Sequence, residues 1–281
     1  MHCRAFADRF GGLMPEGHTI HRMAQDHGRW LGGQSLRVTS PQGRFSAEAR
    51  LLDYGLFVGA FAHGKHLFYQ IEDREEKTRF VHIHLGLYGR FRKQLNPPER
   101  TSPNCRMRLV GFKHALDLSG PTACELMGRD EIDEKRQSLG PDPIAHGDGH
   151  QAFFERLQRR RIPIGAALLD QKVIAGLGNI YRAELLFKHR IDPSVPANHL
   201  SEASVKQLWE TSVWWLKLGV RAKRIITTLP SMPKTLPRGA RREFLMVYGK
   251  RNCPACGGAI EQNQIGNRKL YFCPSCQTGQ C

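Results

Sequence analysis

Two hydrophobic periodicities divide the chain. From Pro15 onward, Ile20, Met23, Ala24 and Leu31 recur near helical spacing and predict a helix from Pro15 to about Gly32. Proline suits a first helical position, and Glu16 favours the positive end of the helix dipole. A period of two follows. Leu67, Tyr69 and Ile71 share one face, while Val81, Ile83, Leu85 and Leu87 oppose Phe80, His82 and His84. Cys105, Met107 and Leu109 alternate with Arg106 and Arg108, and Leu116 and Leu118 continue the pattern. Short strands broken by Gly, Pro and charged clusters predict a β-sandwich or barrel-like unit over 14–139.

Gly140-Pro141-Asp142-Pro143, followed by Gly147-Asp148-Gly149, opposes any regular element and predicts a linker at 140–150. Beyond it the period turns helical, at Phe153–Leu157, Ala166–Ile174, Ile180–Phe187 and Val205–Val220, the last with Ser201 as N-cap. Thr227–Arg242, with Pro230, Pro233 and Pro237 among Lys234, Arg238, Arg241 and Arg242, reads as an irregular loop closing a helical domain at 151–243. The remainder, 244–281, carries paired cysteines. The expected class is α+β with several domains.

Composition adds a partner. A net charge of +16, from 42 Lys and Arg against 26 Asp and Glu, suits a polyanion, nucleic acid before an anionic membrane. No apolar run approaches the roughly 20 residues of a membrane span, and the first thirteen residues lack the apolar core of a secretory signal. A soluble cytoplasmic protein with no membrane partner is expected. Of eight cysteines, Cys3, Cys105, Cys124 and Cys281 are scattered, as free thiols would be.

The other four form Cys253-Pro254-Ala255-Cys256 and Cys273-Pro274-Ser275-Cys276, two knuckles separated by sixteen residues. Each knuckle offers two thiolates to one metal, and together they complete a closed tetrahedral set. One structural zinc is expected, with Gly266-Asn267 near the tip of the intervening hairpin. Between two predicted helices, Ala175-Gly176-Leu177-Gly178-Asn179-Ile180-Tyr181 offers a tight turn. Its backbone N–H groups could face an anion, or the turn could be purely structural.

Four separated stretches, taken in order, are far more specific than any one of them: Met14-Pro15-Glu16-Gly17, Gly64-Lys65, the run Asp170-Gln171-Lys172 through Tyr181, and Asn267-Arg268 leading into Cys273-Pro274-Ser275-Cys276-Gln277. His84-Leu85-Gly86-Leu87-Tyr88-Gly89 and Leu139-Gly140-Pro141-Asp142-Pro143 add support. With them the chain resembles the formamidopyrimidine-DNA glycosylase/endonuclease VIII family of base-excision repair. The resemblance implies an N-terminal β-sandwich, a helix–two-turn–helix domain and a zinc finger, with damaged DNA held between them by a monomer. The form of that DNA, duplex or single-stranded and bubble, is left open.

The resemblance also implies roles. Pro15, freed of its initiator Met, is the nucleophile at C1′ of a damaged nucleotide. Glu16 is the general acid. Lys65 binds a phosphate beside the lesion and helps keep the proline amine neutral. Asn179 and Arg268 grip phosphates, and Leu87 and Tyr88 wedge into the vacated stack. Family members commonly carry Pro and Glu where this chain has His18 and Thr19. The formamidopyrimidine type places a Lys near Gly165. Its absence, with Gly17 and Leu87-Tyr88, points to the endonuclease VIII-like, actinobacterial-type branch and to oxidised pyrimidines. As numbered, Pro15 is internal and its nitrogen is an amide, so the mechanism requires that residues 1–13, read as a non-native or mis-assigned extension, be absent. The alternative is a catalytically silent zinc-containing DNA-binding protein.

Overall fold

The computed structural model describes residues 15–98, 101–229, 231, 233–235, 241–265 and 268–278. The expected extension, Met14, positions 230, 232 and 236–240 of the proline-rich loop, and Gly266-Asn267 lie outside them. The first helix, α1 (Gly17–Leu31), starts later than Pro15 because Glu16 is extended, with its carbonyl taking the Thr19 N–H at 2.9 Å. Then follow β1 (Gln34–Ser35), β2 (Arg37–Thr39), α2 (Ser46–Leu52), β3 (Leu56–His63), β4 (His66–Glu72), β5 (Thr78–His84), β6 (Arg90–Leu95), β7 (Cys105–Val110), β8 (His114–Ser119) and β9 (Ala123–Met127).

These strands build two antiparallel sheets, ordered β1-β3-β4-β5-β9 and β2-β7-β8-β6. The alternating residues meet as predicted. Leu67, Tyr69, Ile71, Val81, Ile83, Met107, Leu109, Leu116 and Leu118 form one buried cluster with Ile20 and Leu31 of α1. The alternation stops at Gly86, whose φ of +62° suits glycine and whose Cβ would overlap the Thr122 side chain. Leu85 is therefore buried, while Leu87 and Tyr88 project from the turn at 56% and 81% exposure. On the opposite face of the five-stranded sheet, α3 (Arg129–Ser138) sets Ile132 against Phe68 and Phe80.

The helical part comprises α4 (His150–Gln158), α5 (Ile164–Ala167), α6 (Asn179–Lys188) and α7 (Glu202–Ala222). Ser201 caps α7, its hydroxyl accepting the Ser204 N–H at 3.2 Å. The helix expected over Ala166–Ile174 ends at Ala167. Asp170 turns the chain, its carboxylate taking the Lys172 N–H and its carbonyl the Val173 N–H. Burial, rather than helix, explains that apolar run: Leu168, Val173, Ile174 and Leu177 are inaccessible. A final hairpin of β10 (Glu261–Ile265) and β11 (Arg268–Phe272) leads into α8 (Pro274–Gln277). No helix among the described residues is long and apolar enough to cross a membrane.

Candidate functional site

Three backbones meet at glycine. Gly17 opens α1, Gly64 turns β3 into β4 immediately before Lys65, and Gly176 lies in the turn before α6. The Gly17 N–H donates to the Gly176 carbonyl at 2.8 Å. A Cβ on Gly17 would stand 2.8 Å from the Gly176 Cα, and one on Gly64 would stand 2.8 Å from the Gly176 nitrogen. Side chains there would hold the three elements apart.

Glu16 sits beside this junction, 3% exposed. Its carboxylate turns away from its own helix. One oxygen accepts the Gly178 N–H at 3.0 Å and the other the Ile180 N–H at 2.9 Å, so it caps α6 across the molecule. The anion that the Gly176–Gly178 turn was expected to face is thus an internal one. Burial raises the Glu16 pKa, against the opposing pull of Lys65 and the backbone donors. Lys65 in turn is brought down to about 8 by burial. Glu16 opposes that shift, and Arg268 adds to it. Pro15, Glu16, Lys65 and Arg268 therefore share one locus contributed by the sandwich and the hairpin.

Asn179 opens α6. Its Nδ2 donates to the Lys269 carbonyl at 2.9 Å and its Oδ1 accepts from Arg182. Sequence reasoning missed Arg182. It is fully buried and also donates to the carbonyls of Gly165 (2.9 Å) and Lys269 (3.3 Å), fixing Asn179 and the hairpin together. Its position three residues after Asn179, on the same helix face, was the available signal.

Asp142 was missed as well. One carboxylate oxygen takes the Gly64 N–H (2.7 Å) and lies 2.6 Å from His21 Nε2, while the other takes the Ile144 N–H. The segment read as a linker is thus stitched to both α1 and the turn bearing Lys65. Glu184 accepts N–H groups of Met246, Val247 and Tyr248, and so holds the chain entering the cysteine module. Leu87 and Tyr88 stand on the turn after β5, whose last residue, His84, feels the Lys65 charge.

The four cysteine sulfurs lie within 4.8 Å of one another, with Cys253–Cys276 at 3.8 Å and Cys256–Cys273 at 3.6 Å. Tetrahedral zinc with Zn–S bonds of about 2.3 Å spaces its sulfurs by about 3.8 Å. The set fits one closed structural zinc. Cys253, Cys256, Cys273 and Cys276 would hold it, and its contribution is to fold the hairpin that carries Arg268.

Residues 139–231 match the formamidopyrimidine-DNA glycosylase H2TH domain, and 252–279 match a zinc finger found in FPG and IleRS. The chain is 40% identical over 273 residues to Endonuclease 8 1 of Mycobacterium tuberculosis, covering 94% of this chain and 100% of that one. It is 32% identical over 225 residues to formamidopyrimidine-DNA glycosylase of Thermus thermophilus, covering 76% and 79%. A solved structure of a Lactococcus lactis FPG mutant with Fapy-dG containing DNA has the same fold, with a TM-score of 0.76 at 24% identity over 94% of this chain and 99% of that one. Fold, cysteine module and whole-length similarity agree, and the chain belongs to the formamidopyrimidine-DNA glycosylase/endonuclease VIII family.

Proposed function

We propose that the protein is a base-excision-repair DNA glycosylase and abasic-site lyase that works through the amine of Pro15. The observation that carries the reading is Glu16. A carboxylate next to Pro15 is buried, raised in pKa, and pinned by two N–H groups from another domain. A carboxyl group that holds its proton more tightly than it would in water, and that is fixed in place, suits proton transfer to a substrate beside it.

In this reading the Pro15 nitrogen attacks C1′ and the damaged base departs. Glu16 protonates the ring oxygen, and the opened sugar becomes an iminium on Pro15. Loss of a 2′ proton then expels the 3′ phosphate, and a second elimination expels the 5′ phosphate. Lys65 and Arg268 neutralise phosphate beside the lesion, and their charge keeps the Pro15 amine unprotonated and nucleophilic. Asn179 grips the strand, and Leu87 and Tyr88 fill the gap left by the extruded nucleotide.

We assign oxidised pyrimidines as substrates. Gly165 fits this, because a Cβ there would crowd the Ile265 side chain at 2.9 Å and the Pro193 carbonyl at 3.1 Å, where the formamidopyrimidine type carries a lysine. The active unit is a monomer on damaged DNA of the nucleoid, beginning at Pro15.

Borohydride reduction tests this. Protein with a verified Pro15 N-terminus should be trapped covalently on abasic or thymine-glycol duplex, and the same protein with its N-terminal amine acetylated should not. The numbered chain joins Pro15 to Met14 through an amide, which favours a silent DNA binder for any form retaining Met1. Absence of an adduct from the Pro15-initiated protein would establish the silent reading. Trapping by protein that keeps Met1 would remove Pro15 from the mechanism.

A further inference from the structure

A second cationic feature lies outside the site. Ser138 at the end of α3, the outer face of α4 and the turn at Lys172 enclose an open groove of about 480 Å³, lined by Arg156, Arg159, Arg160, Lys172 and Glu155. Arg156 and Arg160 belong to the frame: Arg156 donates to the Lys172 carbonyl at 2.7 Å, and Arg160 pairs with Asp170 at 2.9 Å. Arg159 and Lys172 are exposed and pair with no carboxylate among the described residues. Like charges held side by side repel one another. An anion entering the groove would relieve that repulsion.

The groove is also indexed to the candidate active site. Lys172 and Gly178 stand at opposite ends of one rigid segment. Gln171 braces its middle, accepting the Gly176 N–H at 2.9 Å and donating to the carbonyls of Leu169 and Leu177 at 3.0 Å. The far end is the Gly178 N–H that holds Glu16. A polyanion engaged at both ends is therefore held in a fixed register to Glu16. Duplex DNA carries one charge per about 1.7 Å of axis, so a duplex seated at Asn179 brings several phosphates to flexible cations nearby.

We infer that this groove is a second phosphate-binding site, which grips the backbone of undamaged duplex flanking the lesion. The inference rests on the DNA-directed reading above and extends it to a surface away from the reacting atoms. Arg159 and Lys172 supply the charge. Arg156 and Arg160 shape the walls.

The test uses the full chain and a duplex bearing a tetrahydrofuran abasic analogue, shortened one base pair at a time on either side, with affinity read by anisotropy. Wild-type affinity should drop when one particular flank becomes too short and stay level when the other is cut. Arg159→Glu with Lys172→Glu should bind the full duplex roughly tenfold more weakly, with a salt slope shallower by about two. The same variant should match wild type on the duplex lacking that flank. Arg159→Lys should behave as wild type. The inference is overturned if the double variant weakens long and short duplexes equally, or if neither protein responds to length, the result expected of a groove that serves an acidic protein. Loss of preference for the abasic analogue over intact duplex would count against the glycosylase reading alone, since length dependence is scored on either duplex.

Discussion

Where the helical domain meets the zinc hairpin, apolar side chains run without a break. Leu270, Val247, Cys253 and Cys273 belong to the same buried cluster as Trp209, Trp215 and Leu186. Where it meets the sandwich, the two apolar clusters stay separate, and hydrogen bonds cross between them beside the packing of α1 on α7 and the edge contact of His18 with Tyr181. Glu16 reaches to Gly178 and Ile180, Gly17 to Gly176, His63 to Gly140, and Asp142 to Gly64 and His21. Apolar packing is tolerant of small shifts, whereas hydrogen bonds weaken steeply with angle. The first boundary supplies cohesion. The second supplies registration, and it is the one at which Glu16 and Lys65 stand.

The largest expected effect tests the polar boundary. Glu16→Gln should lower glycosylase turnover by about 10²–10⁴-fold, and because one of its two N–H partners would then face an amide NH2, it should also cost about 1–3 kcal/mol of stability. Turnover within severalfold of wild type would remove Glu16 from the chemistry and leave the boundary merely structural.

The apolar boundary is tested by Leu270→Ala and by chelation of zinc. The substitution should cost about 2–5 kcal/mol. In hydrogen exchange both perturbations should loosen α6 and β11 while β3, β4 and β5 keep their protection, and chelation should abolish DNA binding. Simultaneous loss of protection in the sandwich would mean that the two cores are one cooperative unit.

A pH titration sharpens the picture at Lys65. With its pKa held near 8, Lys65 is a cation below that value. A phosphate partner raises the pKa in the complex, so affinity should be level below pH 8 and fall by at most tenfold per unit above it. Lys65→Arg, permanently charged, should flatten that limb. A wild-type affinity unchanged from pH 7 to 9.5 would exclude a Lys65–phosphate contact.

The smallest effect on stability belongs to the wedge turn. At 81% exposure, Tyr88 contributes little packing, and Tyr88→Ala should change stability by less than about 0.5 kcal/mol while weakening lesion-duplex binding. A larger loss of stability would place the side chain in the fold.

Much of the sandwich was legible because alternate apolar residues of β4, β5 and β7 point into one shared core, even though much of the other face is buried as well. The four cysteines were legible from spacing alone. α3 was not, because Arg129–Ser138 carries a single apolar residue, Ile132, and its start depends on the Glu131 carboxylate accepting the Gly128 N–H. Ala166–Ile174 misled because its short buried apolar pieces, Ala167-Leu168 and Val173-Ile174, look alike as helix or turn. At the site, sequence could nominate Glu16 but could not assign its partners, which lie 162 and 164 residues away. Arg182 and Asp142 stayed hidden because charged residues are usually solvated, and only the fold reveals that these two are walled in.

The pinning of Glu16 has one more consequence. With Glu16 as the proton donor, the acid is also the bolt between two domains. If they part, the carboxylate loses both N–H partners at once and the Gly17–Gly176 bond goes with them. An open molecule has a displaced acid as well as an empty cleft. The contact that joins the two halves and the contact that places the proposed acid are therefore one and the same.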